Sequence, residues 1–311
     1  MSWQKALFII LILFCLSPYG SPAIALTLGL VLALTLGNPF PELAGKPTTY
    51  LLQASVVMLG FGMNLAAVYN AGKSGILFIV GVVSGALLLG FIFGKFLKTS
   101  SRITTLISTG TAICGGSAIA AVGPAIKAEN DEMSVSLGTI FVLNAVALFV
   151  FPLIGHEIAM SQNQFGMWSA IAIQDTSSVV GASSAYGTEA LAIAATVKLA
   201  RALWIAPLAL ALAFIYREKD AKAKIAIPWF IFLFVLAAAI RTFAPPSIFP
   251  SIFDGLVNLA KAGFTVTLFL IGVSLSRGML KKVGARPFLL GAILWVIIAS
   301  VSLWAVLHLV E

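Results

Sequence analysis

Apolar residues run along this chain in long blocks, separated by short clusters of turn-forming and charged residues. The blocks lie at 6–17, 22–37, 48–68, 74–95, 103–126, 133–154, 165–186, 190–215, 225–243, 255–276 and 287–308. Most approach or exceed the roughly 20 residues that a helix needs to cross the hydrocarbon of a bilayer. The pattern predicts an all-α polytopic membrane protein of about 11 transmembrane helices in one integral membrane domain, with loops too short for a soluble domain. The first block is short and also fits a signal segment. Residues 1–20 are read here as a short first transmembrane helix packed against 22–37.

Composition sharpens this picture. The chain is 60% apolar and only 10% charged, with a mean hydropathy of +1.06, whereas a soluble domain carries about 25% charged residues. A soluble enzyme is excluded. The formal charge of +8 is not a nucleic-acid signature, because the basic residues sort by side of the membrane. With the N-terminus inside, thirteen Lys and Arg fall in cytoplasmic segments, among them Lys95, Lys98, Arg102 and the clusters at 217–224 and 277–286, against Lys73 and Lys127 opposite. This predicts a multi-pass protein of a bacterial inner membrane, with its N-terminus cytoplasmic, its C-terminus periplasmic and the lipid bilayer as its solvent. Cys15 and Cys114 both sit in apolar blocks, so neither a disulfide framework nor a metal cluster is implied.

Two internal similarities suggest repeats. Ser55–Leu65 aligns with Thr265–Leu275, in blocks that cross in opposite directions, as expected for halves related by an in-plane two-fold axis. Thr111–Gly123 also aligns with Asp175–Gly187, which in this topology would cross in the same direction. Both cannot belong to one repeat. Asn64 and Ser274, matched in the first alignment, are read as packing residues.

Candidate chemistry concentrates in three blocks. The run Ser108–Pro124 is too rich in small and polar residues to face lipid, and Gly115 and Gly116 lie near its middle. Glycine loosens a helix, so an interruption there would expose a half-helix N-terminus and free amides. The alternative is close helix packing. The candidate binding groups of this block are Thr111, Cys114, Gly115, Gly116 and Ser117. The seventh block contributes Gln174, Thr176, Ser177 and Ser178, with Asp175 the only acid well inside a block. On one helix Gln174, Ser177, Gly181 and Ser184 form a polar stripe. The eighth block adds Lys198 and Arg201 on one face, with Trp204 a turn further on. A closed Asp175–Lys198 or Asp175–Arg201 pair would be structural. A residual positive charge would instead attract an anion, for which the guanidinium fork is suited. Arg241 and Lys261, near outer ends, are read as snorkelling or lining an outer vestibule. No HExxH, GxxxxGK[ST] or TVGYG sequence occurs, and neither His156 nor His308 lies mid-block. Hydrolase, nucleotide-driven and potassium-channel readings therefore have no residues to stand on.

Four runs, Cys114–Ile119, Gln174–Val180, Ala195–Arg201 and Phe269–Leu275, taken in this order resemble the YeiH-like sulfate exporter family of bacterial inner-membrane proteins, from about residue 20 to the C-terminus. That family is similar to the cation-proton antiporter and anion transporter group. The resemblance implies inverted five-helix repeats, a panel and a core domain, and two crossing broken helices. It places the repeats at 21–155 (spans two to six) and 164–311 (spans seven to eleven), and matches span five to span ten. There Gly263 and Gly272 are the only weak points and proline is lacking. Members often carry His where this chain has Gln174, so a proton relay at that position does not carry over.

The residues and the resemblance together predict a secondary active transporter of a small anion, sulfate or sulfonate-like, working by alternating access in the export direction. Lys198, Arg201 and the backbone near Gly115 and Ser117 would hold the anion. Asp175 and Lys198 would couple it to H⁺ or Na⁺, with no other cofactor. The alternatives are a cation- or proton-coupled antiporter with a structural basic pair, and a passive anion channel. An enzyme is not expected, nor a nucleic-acid partner, and a homodimer is compatible with the reading.

Overall fold

The computed structural model describes residues 3–17, 19–43, 46–63, 65–202, 204–215, 229–243, 250–274 and 283–310. Asn64 and the basic clusters at 217–224 and 277–282 lie outside the described residues. Apart from a 3-10 turn at Pro41–Leu43, the described elements are all α-helices: α1 (Trp3–Cys15), α2 (Pro22–Thr35), α3 (Lys46–Gly60), α4 (Leu65–Phe96), α5 (Ser101–Ala112), α6 (Gly116–Ala125), α7 (Asn130–Glu157), α8 (Gln162–Ala172), α9 (Thr176–Tyr186), α10 (Thr188–Ala202), α11 (Ile205–Ile215), α12 (Trp229–Phe243), α13 (Pro250–Ser274) and α14 (Ala285–Leu309). Among the described residues, three helical stretches are individually long and apolar enough to cross a bilayer: Asp131–Glu157, Ser251–Ser274 and Ala285–Leu309. The chain is an all-α polytopic membrane protein, the form expected where hydrocarbon leaves backbone groups no partner but the helix itself.

The helix starts are written in the sequence. Ser21 caps α2, followed by Pro22 in the first turn, and Ser100 accepts the Ile103 amide to cap α5. Glu129 with Glu132 and Ser161 with Gln164 form capping boxes at α7 and α8, each satisfying amides that the first turn leaves free.

Blocks five and seven do not run straight through. Each is a helical hairpin. Placed end to end, α5 and α6 would separate Arg102 from Ala125 by about 35 Å at 1.5 Å per residue. Instead α6 folds back along α5. Leu106 of α5 packs with Ile119 and Val122 of α6, and Arg102 and Ser100 both reach Glu132, just past α6, at 4.0 and 3.1 Å. The second hairpin, α8–α9, is held by rungs between antiparallel helices. The Ser169 and Ser183 hydroxyls are 2.8 Å apart, and the Phe165 and Tyr186 rings stack at 3.8 Å. Gln162 closes its open end by accepting the amides of Glu189 and Ala190.

Helix α7 fixes the relation of the two hairpins. Its start lies beside the open end of α5–α6, through Glu132. Its end lies beside the open end of α8–α9, where the Tyr186 hydroxyl meets the Gly155 and Met160 carbonyls at 3.1 and 2.6 Å. The hairpins thus enter from opposite ends of one 28-residue helix and meet tip to tip beside its middle. Gln174 is in the turn between α8 and α9, so the stripe expected from Gln174 through Ser184 on one helix is corrected. The helical face begins at Ser177.

Around this centre, α13 packs on α2 and α3, α12 on α3, and α14 on α4, α5, α7 and α8. Helices α2 and α13 approach so closely at Gly29 and Gly272 that a methyl on either would collide with the other's backbone. Gly272 is thus a packing residue. α13 is a single helix from Pro250 to Ser274, so the second interrupted block is span seven and not span ten, as the resemblance implied. Ser274 bonds back to Leu270 within its own helix.

Candidate functional site

The site is built where the two tips touch. Block five stops at Ala112 and restarts at Gly116 because Gly115 takes φ +58 and ψ −120, a positive-φ conformation costing a side-chain-bearing residue about 1–3 kcal/mol. Gly115 also faces the second tip, where a methyl on it would lie 3.3 Å from Asp175 Cβ. Across the tips, Gln174 Nε2 donates to Thr111 Oγ1 at 2.9 Å.

Ending two helices inside the bundle, beside the middle of α7, leaves carbonyls without partners and about half a negative charge at each C-terminus. Arg201 and Lys198 supply what is missing. On α5, the Thr109 and Gly110 carbonyls accept from Ile113 and Gly115, and those of Thr111 and Ala112 accept from Arg201 Nη2 and Nε at 2.6 and 2.7 Å. On α8, the Ala170 and Ile171 carbonyls take Arg201 Nη1, while Lys198 Nζ reaches the Ala170 and Ile173 carbonyls at 3.4 and 2.7 Å. Both cations are fully buried. Their expected convergence on one face is there, but they face backbone. At least three of the five guanidinium N–H groups are directed at carbonyls in this arrangement.

The helix restarts differ from each other. Asp175 is the N-cap of α9. Its Oδ1 accepts the Ser177 amide and hydroxyl at 3.1 and 3.0 Å, and its Oδ2 accepts those of Ser178 at 3.0 and 2.7 Å. The carboxylate therefore offsets the positive end of α9. An Asp175–Lys198 or Asp175–Arg201 salt bridge is not found among the described residues, where the ion pair is Arg102–Glu132. Helix α6 starts at Gly115 with no side-chain cap. Cys114 lies against Ser117 and the Ala118 backbone, Gly116 is half-buried and Ser117 is exposed. Thr176, beside Asp175, is half-buried as well. The candidate groups Thr111, Cys114, Gly115, Gly116, Ser117, Gln174, Asp175, Thr176, Ser177 and Ser178 thus lie at the two tips, with Lys198 and Arg201 behind them.

One participant had not been anticipated. Asn144, at the middle of α7, accepts the Gln174 and Asp175 amides at 3.0 and 3.3 Å, and so holds the second tip to the long helix. Its Nδ2 and Gln174 Oε1 are buried without a hydrogen-bond partner. The signal for it was its position as a lone amide within an apolar run. Among the described residues no cluster of His, Cys, Asp and Glu could hold a metal ion.

This architecture defines a multi-spanning membrane protein of a kind consistent with transport. More particularly, the chain belongs to the family described as Conserved hypothetical protein 698, whose model matches residues 8–291. Its relatives include a UPF0324 membrane protein of Bacteroides thetaiotaomicron, 51% identical over 92% of this chain and 86% of that protein. Those of Bdellovibrio bacteriovorus and Geobacter sulfurreducens are 48% and 47% identical, over 97% of this chain and 94% and 96% of theirs. The relatives are named as membrane proteins, and their names state no enzymatic reaction. Those names specify no sulfate and no substrate. No solved structure matches the chain.

Proposed function

We propose that the chain is a secondary active transporter of a small anion, working by alternating access, and that the anion docks at the uncapped start of α6, on the amides of Gly116 and Ser117. The observation that carries this reading is the asymmetry of the two tips. One helix N-terminus brings its own carboxylate, while the other, of similar length and at the same depth, has none and is accessible. A helix N-terminus without a cap favours an anion. Two hairpins entering from opposite ends of α7 give such a site a route to either face.

The same geometry supports an inverted relation between α5–α6 and α8–α9, since α6 and α9 run from the common centre toward opposite ends of α7. It supports nine crossing segments with two re-entrant hairpins between them. On that topology Lys127 moves to the basic, cytoplasmic side, leaving Lys73 alone opposite, which fits the distribution of positive charge better than eleven crossings. A second reading, the proton- or Na⁺-coupled antiporter with a structural basic pair, is favoured by one observation, the use of Lys198 and Arg201 on backbone carbonyls. Asp175 would then be the coupling group.

The test is thermal stabilisation of purified protein by sulfate, sulfite, thiosulfate, taurine and small carboxylates, in wild type and in Ser117→Asp. A carboxylate in the first turn suits the helix dipole, so the variant keeps its fold while occupying the anion's place. Stabilisation by one anion class that disappears in Ser117→Asp supports the reading. Stabilisation by Na⁺ alone, lost in Asp175→Ala, would replace it with the antiporter.

A further inference from the structure

Away from the tips, a cavity of about 220 Å³ lies between the start of α2, the second half of α9, the start of α10 and the middle of α13. Pro22, Val180, Leu191 and Phe264 give it apolar walls, and Ser184, Thr265 and Lys261 its polar side. The two hydroxyl protons are already engaged: Thr265 donates to the Lys261 carbonyl and Ser184 to that of Gly181, each at 3.0 Å. The Lys261 ammonium is therefore the polar donor left to a guest. No carboxylate lines the cavity, and among the described residues no salt bridge includes Lys261. Lys261 lies near the middle of α13 and is exposed, so its ammonium can reach a guest in the cavity.

We propose that this cavity binds an amphiphilic anion, a sulfonate, carboxylate or phosphate head carrying a short apolar body. The head pairs with Lys261 and the body lies on Val180, Leu191 and Phe264. The volume equals roughly seven waters at ~30 Å³ each, enough for a head group and a few carbons. The head can belong to a free organic anion or to a lipid whose chains stay outside. Val180 and Ser184 stand on α9, the helix capped by Asp175, so an occupant touches an element of the tip site without sharing its ligands. The inference does not depend on the anion site at α6.

The experiment uses the full chain purified in neutral detergent, with butanesulfonate and inorganic sulfate as probes and thermal stabilisation as the readout of apparent affinity. Wild type is expected to bind butanesulfonate and Lys261→Gln at least tenfold more weakly; in Ser117→Asp, where a sulfonate site at α6 is filled, the response that Lys261→Gln removes should remain. Val180→Phe, which fills the apolar wall and leaves the charge, should weaken butanesulfonate similarly, and it stands in if Lys261→Gln does not fold. Repeating the titration in nanodiscs with and without phosphatidylglycerol identifies the source. Loss of the butanesulfonate response in the anionic lipid assigns the cavity to a lipid head group, and its persistence assigns it to a soluble anion. Equal affinity in wild type, Lys261→Gln and Val180→Phe overturns the proposal, as does a response lost only in Ser117→Asp.

Discussion

Arg201 Nε donates to the Ala112 carbonyl at 2.7 Å across 89 residues of sequence, and the same guanidinium holds the end of the other hairpin. One side chain thereby terminates two helices from opposite ends of the molecule. The positive charge answers the two negative C-termini, and the planar fork meets carbonyls from both hairpins at once. A lysine would provide the charge without the fork.

That relation predicts an ordered series. Replacing Arg201 by Met keeps the bulk and orphans up to four buried carbonyls, each worth on the order of 1–3 kcal/mol. Arg201→Lys restores the charge and part of the bonding. Thermal unfolding in detergent should rank wild type above Arg201→Lys, and Arg201→Lys well above Arg201→Met. A Met variant that melts with wild type would show that the carbonyls find other partners.

The hairpins predict sidedness. In a background without Cys15 and Cys114, single cysteines at Lys98 and Lys127 should react with an impermeant maleimide from the same face. A cysteine at Ala159 should react from the opposite one. Lys98 and Lys127 labelling from opposite faces would restore the straight crossing of block five.

Much of the centre was legible in the sequence, and what was missed has a physical cause. Gly115–Gly116 marked the first break, because a mid-membrane glycine pair is where a helix can stop. Lys198 and Arg201, three apart, marked a common face. What hydropathy could not separate is a re-entrant hairpin from a crossing helix, since each buries about 20 apolar residues and its length is the same. The alignment of Thr111–Gly123 with Asp175–Gly187 picked out segments of the two hairpins. It conflicts with the other repeat only if both blocks cross in one direction. Lys127, one of two basic residues on the sparse side, was the clue to the fold-back. The role of Arg201 was illegible, because its partners are main-chain carbonyls, which every sequence contains.

The left-handed tip predicts a contrast between neighbours. Gly115→Ala must hold φ +58 with a methyl 3.2 Å from Ile140 and 3.3 Å from Asp175, and should lower stability by about 1–3 kcal/mol from the backbone alone. Gly116→Ala meets Leu137 and Phe141 at 3.4–3.5 Å, an ordinary contact at a helical position. It should melt close to wild type. Equal effects at the two positions would remove the argument that the backbone turn is what glycine serves.

Asp175 separates structure from coupling. Asn is about as good an N-cap as Asp, and Asp175→Asn retains an oxygen for the Ser177 or Ser178 amide while removing the charge. Its melting temperature should stay near that of wild type, whereas Asp175→Ala, with no cap, should lose roughly 1 kcal/mol. If the carboxylate couples transport to an ion gradient, Asp175→Asn in proteoliposomes should still exchange anion for anion but no longer respond to an imposed proton or Na⁺ gradient. If gradient-driven uptake persists in Asp175→Asn at the wild-type rate, Asp175 is a helix cap and nothing more. The coupling group then has to be sought elsewhere, beginning with the unpartnered amide atoms of Gln174 and Asn144 at the same tip.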